Sequence, residues 1–148
     1  MTENFPVHAL VYISQSAYGL SNLDLEEILV DASAQNRLAD VTGALLYDGL
    51  SFLQYIEGPA AGIASVLARI QRSRRHANLR VLADGGVAQR YFWNWSMACR
   101  HADASMIQRL EAARWGDRAH PHLREDSAHN DGLRLLSEFW AAAPPEHC

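Results

Sequence analysis

VTGALLYDGLSFLQYIEGP, residues 41–59, decides the fold class. Two β-rich runs, Val41–Tyr47 and Ser51–Glu57, flank Asp48-Gly49. An Asp-Gly pair between such runs is the strongest short hairpin signal a sequence offers. In the second run Phe52, Gln54 and Ile56 fall on one face, because strand side chains alternate. Gly58-Pro59 stops that strand and opens a helix, with proline in its first turn. Ile63, Val66, Leu67 and Ile70 form the apolar stripe of this helix, and the basic run Arg72–His76 closes it.

Upstream, Val7 to Ser14 alternates, and both sets are largely apolar, which predicts a central strand. Ser16 to Gly19 reads as a loop. Ser21 or Asn22 can cap a following helix, with Asp24, Glu26 and Glu27 at its positive end. Leu25, Ile28, Leu29 and Ala32 keep helical spacing, and the next turn reaches Gln35 and Asn36. The buried face of this helix is therefore expected to end in two amides.

Downstream, Leu79–Ala83 reads as a fourth strand and Gly85-Gly86 as a loop. Trp93, Trp95, Met97 and Cys99 alternate as a fifth strand. The order β-α-β-β-α-β-β is the ferredoxin-like split pattern with an added fifth strand. It predicts an α+β sandwich with two helices on one sheet face. Residues 1–100 form that domain, and residues 101–148 a C-terminal helical extension. The extension holds a helix from Ala104 to Trp115 with Met106, Leu110 and Ala113 in one stripe. A polar loop, Asp117–Asp131, and a short helix, Leu133–Trp140, follow.

A chain of 148 residues with 49% hydrophobic and 20% charged residues is neither disordered nor a disulfide-dense mini-protein. The net charge of -4 shows no bias towards nucleic acid. All 13 basic residues are arginine, so no Schiff-base or P-loop lysine exists. The two cysteines, Cys99 and Cys148, are expected as reduced thiols. No apolar run is long enough to span a membrane, and Glu3 stands where a signal peptide would carry positive charge. A cytoplasmic protein is expected.

Tyr12, Gln54, Asn36, Trp95 and Met97 all project into the sandwich. A buried glutamine costs a few kcal/mol unless its amide finds partners. Each residue alone is read most simply as core, with Tyr12 and Gln54 sharing a hydrogen bond. Together, two amides, a phenol and an indole around an apolar space suit a flat ligand with amide-like edges. The isoalloxazine ring of a flavin has such an edge. Asn36 can pair with its imide by donating and accepting at once. Arg75 or His76 can donate to a ring carbonyl, and aliphatic side chains of two helices can hold the ring faces.

Over residues 6 to 100 the chain resembles the BLUF family, the sensors of blue light using flavin. The matching motifs are LVYIS at Leu10–Ser14, Gln35-Asn36, VTGALLY at Val41–Tyr47 and FLQYIEGP at Phe52–Pro59. They continue with Arg75-His76 and FWNWSM at Phe92–Met97. The resemblance implies non-covalent FAD between the two helices, with Tyr12 and Gln54 as the light-reactive pair. It implies Asn36 at the imide edge, Arg75 and His76 near a pyrimidine carbonyl, and Gln35 and Phe52 as further contacts. Gln35 stands where the family often has asparagine or histidine. Trp95 and Met97 would link the last strand to output. Trp95 is either a competing electron donor or a bulky reporter that exchanges with Met97.

The implied mechanism is reversible electron and proton transfer from Tyr12 by way of Gln54. It leaves a rearranged glutamine amide, by rotation or by tautomer change, and a red-shifted flavin. No cyclase, phosphodiesterase or helix-turn-helix accompanies the domain in these residues. Output is expected through self-association and a separate signalling protein, without enzyme activity. Leu133, Leu136, Phe139 and Trp140 are candidate contacts, or else pack within the chain. The alternatives are a small flavin-dependent oxidoreductase on the same scaffold and a ligand-free interaction module. His120, His122 and His129 are too loosely spaced for an expected metal site.

Overall fold

The computed structural model describes residues 7–16, 21–73, 76–92, 98–117, 122–124 and 130–141. Among these, β1 (Val7–Ser16), α1 (Asn22–Leu38), β2 (Thr42–Tyr47), β3 (Ser51–Gly58), α2 (Ala60–Gln71) and β4 (His76–Val87) form the ferredoxin-like core. β5 (Ala98–His101), α3 (Ala104–Ala112), β6 (Gly116–Asp117), β7 (His122–Leu123) and α4 (Asp131–Ala141) follow. The sheet order is β5-β2-β3-β1-β4-β7-β6. β1 lies between β3 and β4 and is antiparallel to both, the central place its two apolar faces require. β5 adds to the outer edge of β2 in parallel.

The hairpin joins β2 to β3 as the Asp-Gly pair predicts, with Tyr47 opposite Phe52. Its central residues are shifted by one. The Asp48 N–H donates to the Ser51 carbonyl, so Gly49 and Leu50 turn the chain. Gly49 has a φ of 102°, open to glycine at little cost. The Asp48 carboxylate closes the turn by accepting from the Leu50 and Ser51 N–H groups at 2.9 and 2.7 Å. α1 starts at a capping box in which Ser21 and Asp24 satisfy each other's backbone N–H.

β4 is longer than the sequence pattern suggests. It runs through Gly85-Gly86, expected as a loop, and pairs them with Ala9 and His8. Glycines are weak strand signals, and only the long central strand makes their pairing worthwhile. The expected polar loop after α3 contains the short strands β6 and β7, which extend the sheet beyond β4.

The second face of the sheet decides the role of the C-terminal helices. Ala9, Val11, Ile13, Ala44, Leu46, Leu53 and Tyr55 point away from α1 and α2. α3 and α4 cover them with Ile107, Leu110, Leu133, Leu136 and Trp140. Leu133, Leu136 and Trp140 are thus used inside the chain. The buried stripe of α3 is Ile107 and Leu110, with Met106 only half-buried. Leu110→Ala should cost about 2–5 kcal/mol, because a fully buried leucine leaves a cavity against the sheet. Urea unfolding of the two proteins measures this. A loss below about 1 kcal/mol would mean that α3 contributes little to the core.

Candidate functional site

α1 and α2 lie over the face of the sheet that carries Tyr12 and Gln54. Leu25 and Ile28 of α1 pack on Leu45, Tyr47, Phe52 and Cys99. Ile63, Val66 and Ile70 of α2 pack on Leu10, Tyr12 and Ile56. Gln54 stands on β3 between Phe52 of the first cluster and Ile56 of the second. Across the sheet, Val81, Tyr12, Gln54, Leu45 and Cys99 are successive register partners. Tyr12 and Gln54 are thus directly opposed, about 5 Å apart at Cα. The β1–β4 register shifts between Val11 and Tyr12, leaving Leu82 as an extra residue. Bulges of this kind re-aim the side chain beside them.

Tyr12 is fully buried, and among the described residues its hydroxyl has no hydrogen-bond partner. Burial pushes its pKa far above the ordinary phenol value, against a smaller opposing pull from the Arg69 charge. The phenol is therefore held neutral. Arg69 lies on α2. Partial burial lowers its pKa, while its interactions with Tyr12 and with Asp31 of α1 oppose that.

Asn36 is buried in the last turn of α1, and its carbonyl accepts the Val41 N–H at 2.7 Å, fixing the chain's entry into β2. Gln35 is exposed. The buried face of α1 therefore ends in one amide rather than the expected two, since neighbours on a helix point about 100° apart. Phe52 is buried and stacks on Tyr47, with ring centroids 4.5 Å apart. The approach of α2 to the end of α1 depends on Gly62, whose missing Cβ would fall 2.2 Å from the Ala39 carbonyl oxygen. The structure thus brings Tyr12, Gln54, Asn36 and Phe52 to one face. Arg75, Trp95, Met97 and the side chain of His76 lie outside the described residues. Cys99 is buried as expected but is disulfide-bonded, a correction to the expected reduced thiol.

Glu57 and Arg69 carry charge at places that the sequence reading did not single out. Arg69 follows Val66 by one turn, so its spacing was available as a signal. Glu57 is buried on β3, where it accepts the Phe92 N–H at 2.5 Å and the Tyr55 hydroxyl at 3.1 Å. It anchors the chain just before residues 93–97. Burial raises its pKa, and hydrogen bonds from Phe92, Tyr55 and Tyr91 with the Arg90 charge pull against that rise. A carboxyl whose pKa is raised by folding stabilises most below its unfolded pKa. That contribution is lost as pH rises through the folded value. Glu57→Gln should remove this slope, so the variant gains on the parent protein as pH rises above the ordinary carboxylate value. Melting temperatures of both over that rise in pH test it, and parallel curves would contradict a raised Glu57 pKa.

The family described as "BLUF: Sensors of blue-light using FAD" matches residues 7–98. Photoactivated adenylate cyclase subunit alpha of Euglena gracilis is 40% identical over 70 residues, 47% of this chain. The match spans only 7% of that relative's length. Among solved structures, the ground state of BlsA shares 27% identity at a TM-score of 0.63, covering 70% of each chain. The dark state of BlrB, a BLUF protein, has a TM-score of 0.71 over 93% of this chain and 97% of its own. At 24% identity, BlrB shows likeness of fold.

Proposed function

The chain belongs to the BLUF family, the sensors of blue light using FAD, and from that premise we propose that it holds FAD non-covalently between α1 and α2. The observation that carries this reading is Tyr12 opposite Gln54 beneath those helices, with a buried hydroxyl that lacks a partner among the described residues. Leaving such a group unsatisfied costs about 1–3 kcal/mol, so the site is suited to a ligand with polar edges. Asn36 holds the imide edge, donating and accepting through one amide. Arg69, with Arg75 and His76 at the family's motif positions, provides the positive side for the ring carbonyls. Gln35 and Phe52 are further contacts at the margin. Ile28 of α1 and Ile63, Val66 and Ile70 of α2 supply the aliphatic walls.

When bound and excited by blue light, the flavin supplies an oxidant strong enough for a phenol. Tyr12 is that phenol. Its surroundings penalise a lone phenolate, so Tyr12 releases its hydroxyl proton only as it gives up an electron. In this reading Gln54, opposite Tyr12 across the β1–β3 pair, takes that proton at its amide oxygen and returns it. Donor and acceptor lie on opposite sides of one amide, so the exchange leaves Gln54 with a new hydrogen-bond arrangement and no net product. A hydrogen bond added from Gln54 to the bound flavin would shift its absorption to the red. The family is one of sensors, and turnover as a small oxidoreductase is not favoured.

Trp95 and Met97 precede β5 in the sequence, and β5 is fastened to α4. The Arg100 guanidinium donates to the Phe139 carbonyl at 2.6 Å and lies 4.4 Å over the Phe139 ring. We infer that a change at Gln54 reaches α4 along this strand, and from there a separate signalling protein in the cytoplasm. No helix among the described residues is long and apolar enough to cross a membrane. The test is the visible spectrum of the purified protein before and after blue light. The expected result is a flavin spectrum that shifts slightly to the red and recovers in darkness. A flavin that bleaches would favour redox turnover, and a protein that takes up no flavin would overturn the reading.

A further inference from the structure

Two unfavourable local features meet at one end of the β2–β3 pair. Asp40 has a φ of 58°, a left-handed backbone that is uncommon outside glycine. Glu57 buries its carboxyl group, which costs free energy wherever donors do not meet it. Thr42 is the register partner of Glu57, and Gly58 approaches Asp40 so closely that a Cβ on it would fall 2.6 Å from the Asp40 carbonyl oxygen. One short link, residues 90–92, is fastened to both features. The Arg90 guanidinium donates to the Asp40 carbonyl at 2.7 Å and to the Thr42 hydroxyl at 3.0 Å. It also pairs with the Asp40 carboxylate at 3.3 Å. The Glu57 carboxyl accepts the Phe92 N–H, and the Arg90 charge favours its ionised form.

Val41, between Asp40 and Thr42, donates its N–H to the Asn36 carbonyl at 2.7 Å. Arg90 thus grips the residues on either side of the one that closes α1 against Asn36. Glu57 follows Gln54 by three residues on β3 and lies on the opposite face. Beyond Phe92 the sequence passes Trp95 and Met97 to β5, whose Arg100 holds α4. We propose, resting on the flavin reading above, that Arg90 and Glu57 are positioning residues of the light response: they clamp the 90–92 link so that a change at Gln54 and Asn36 is passed to β5 and α4. Coupling between separated sites travels through contiguous hydrogen bonds and packed groups, and a slack link would absorb the movement. Folding alone gives little reason for an ionic cluster here, since replacing buried ionic groups with apolar ones is often neutral or stabilising. Backbone cost of the kind seen at Asp40 persists where the surroundings hold it, and such positions gather at ligand clamps and switch regions.

Hydrogen exchange and difference spectra of the full chain loaded with FAD, on the same samples in darkness and under blue light, test the proposal. In the parent protein, light should change exchange at residues 98–101 and 131–141. Arg90→Met should keep its flavin and a red shift of parental size, while that light-induced exchange difference falls by about threefold or more. Arg90→Lys, which keeps the charge, should recover part of it. Glu57→Gln keeps an acceptor for the Phe92 N–H but loses the pull of Arg90, so it should fall between Arg90→Met and the parent. An Arg90→Met protein that shifts to the red and shows the parent's exchange difference overturns the proposal. That holds even if it melts at a lower temperature, since the cluster then serves only stability. A loaded parent whose residues 98–101 and 131–141 do not respond to light overturns it as well. Loss of the red shift in Arg90→Met would overturn the positioning role by moving Arg90 into the photochemistry. A parent that takes up no flavin would overturn the flavin reading, and the light-response role with it.

Discussion

Tyr12→Phe is expected to keep the flavin, to lose the light-induced red shift entirely, and to raise the melting temperature of the flavin-free protein. The first part follows from shape. Phenylalanine fills the same space among Leu10, Ile56, Ile63, Val66 and Ile70, so the apolar wall survives. The second follows from chemistry, since the ring then has no hydroxyl proton to pass to Gln54 and is far harder to oxidise. The third follows from the structure alone. The Tyr12 hydroxyl is buried without a partner among the described residues. Removing it relieves a cost of about 1–3 kcal/mol in the absence of ligand. Difference spectra under blue light and thermal melts of the apoprotein check both halves. A normal red shift in the variant would sink the electron-donor role. A lower apoprotein melting temperature would show that the hydroxyl is satisfied in solution.

Gln54→Leu is expected to stay yellow and to be silent to light. Gln54 is 4% exposed between Phe52 and Ile56, and a leucine of similar size suits those neighbours and Leu45 opposite. Asn36 and the walls of α1 and α2 remain to hold the ring. What disappears is the only kind of group that can accept at one atom and donate at the other within a single planar amide. Glutamate would not replace it, because a charged carboxylate there would need a partner at low exposure. Flavin content per chain and the blue-light difference spectrum are the two readouts. Full flavin loading with no shift supports the assignment. A persistent shift would move the hydrogen-bond exchange to another residue.

Much of the fold follows from local pattern. The alternation of Val7–Ser14, the Asp48-Gly49 turn, the Ser21 cap and the stripe of Ile63, Val66 and Ile70 each reflect short-range preferences. The structure bears them out because nothing distant competes. Tyr12, Gln54 and Asn36 were readable as a group because polar residues at inward positions stand out against an apolar period, and because several separate motifs agree with one family. Gln35 illustrates the limit. Asn36 keeps the spacing of Leu25, Leu29 and Ala32, whereas Gln35 stands about 100° round the helix from Asn36 and is exposed.

The remaining features depend on residues far apart in the chain. Glu57 is buried because the chain returns to place the Phe92 N–H on its carboxylate. Gly85-Gly86 is strand because β1 is long enough to pair with it. That the Tyr12 hydroxyl lacks a partner among the described residues, with the charge of Arg69 acting on it, arises from how α2 lies on the sheet. The sequence by itself determined the order of strands and helices from β1 to α2 and which of their faces are apolar, because those are written in neighbours a few residues apart. Tertiary structure alone decided what covers each face: α1 and α2 above Tyr12 and Gln54, α3 and α4 beneath Val11 and Tyr55. Periodicity shows that a surface must leave water, but not which distant surface will meet it.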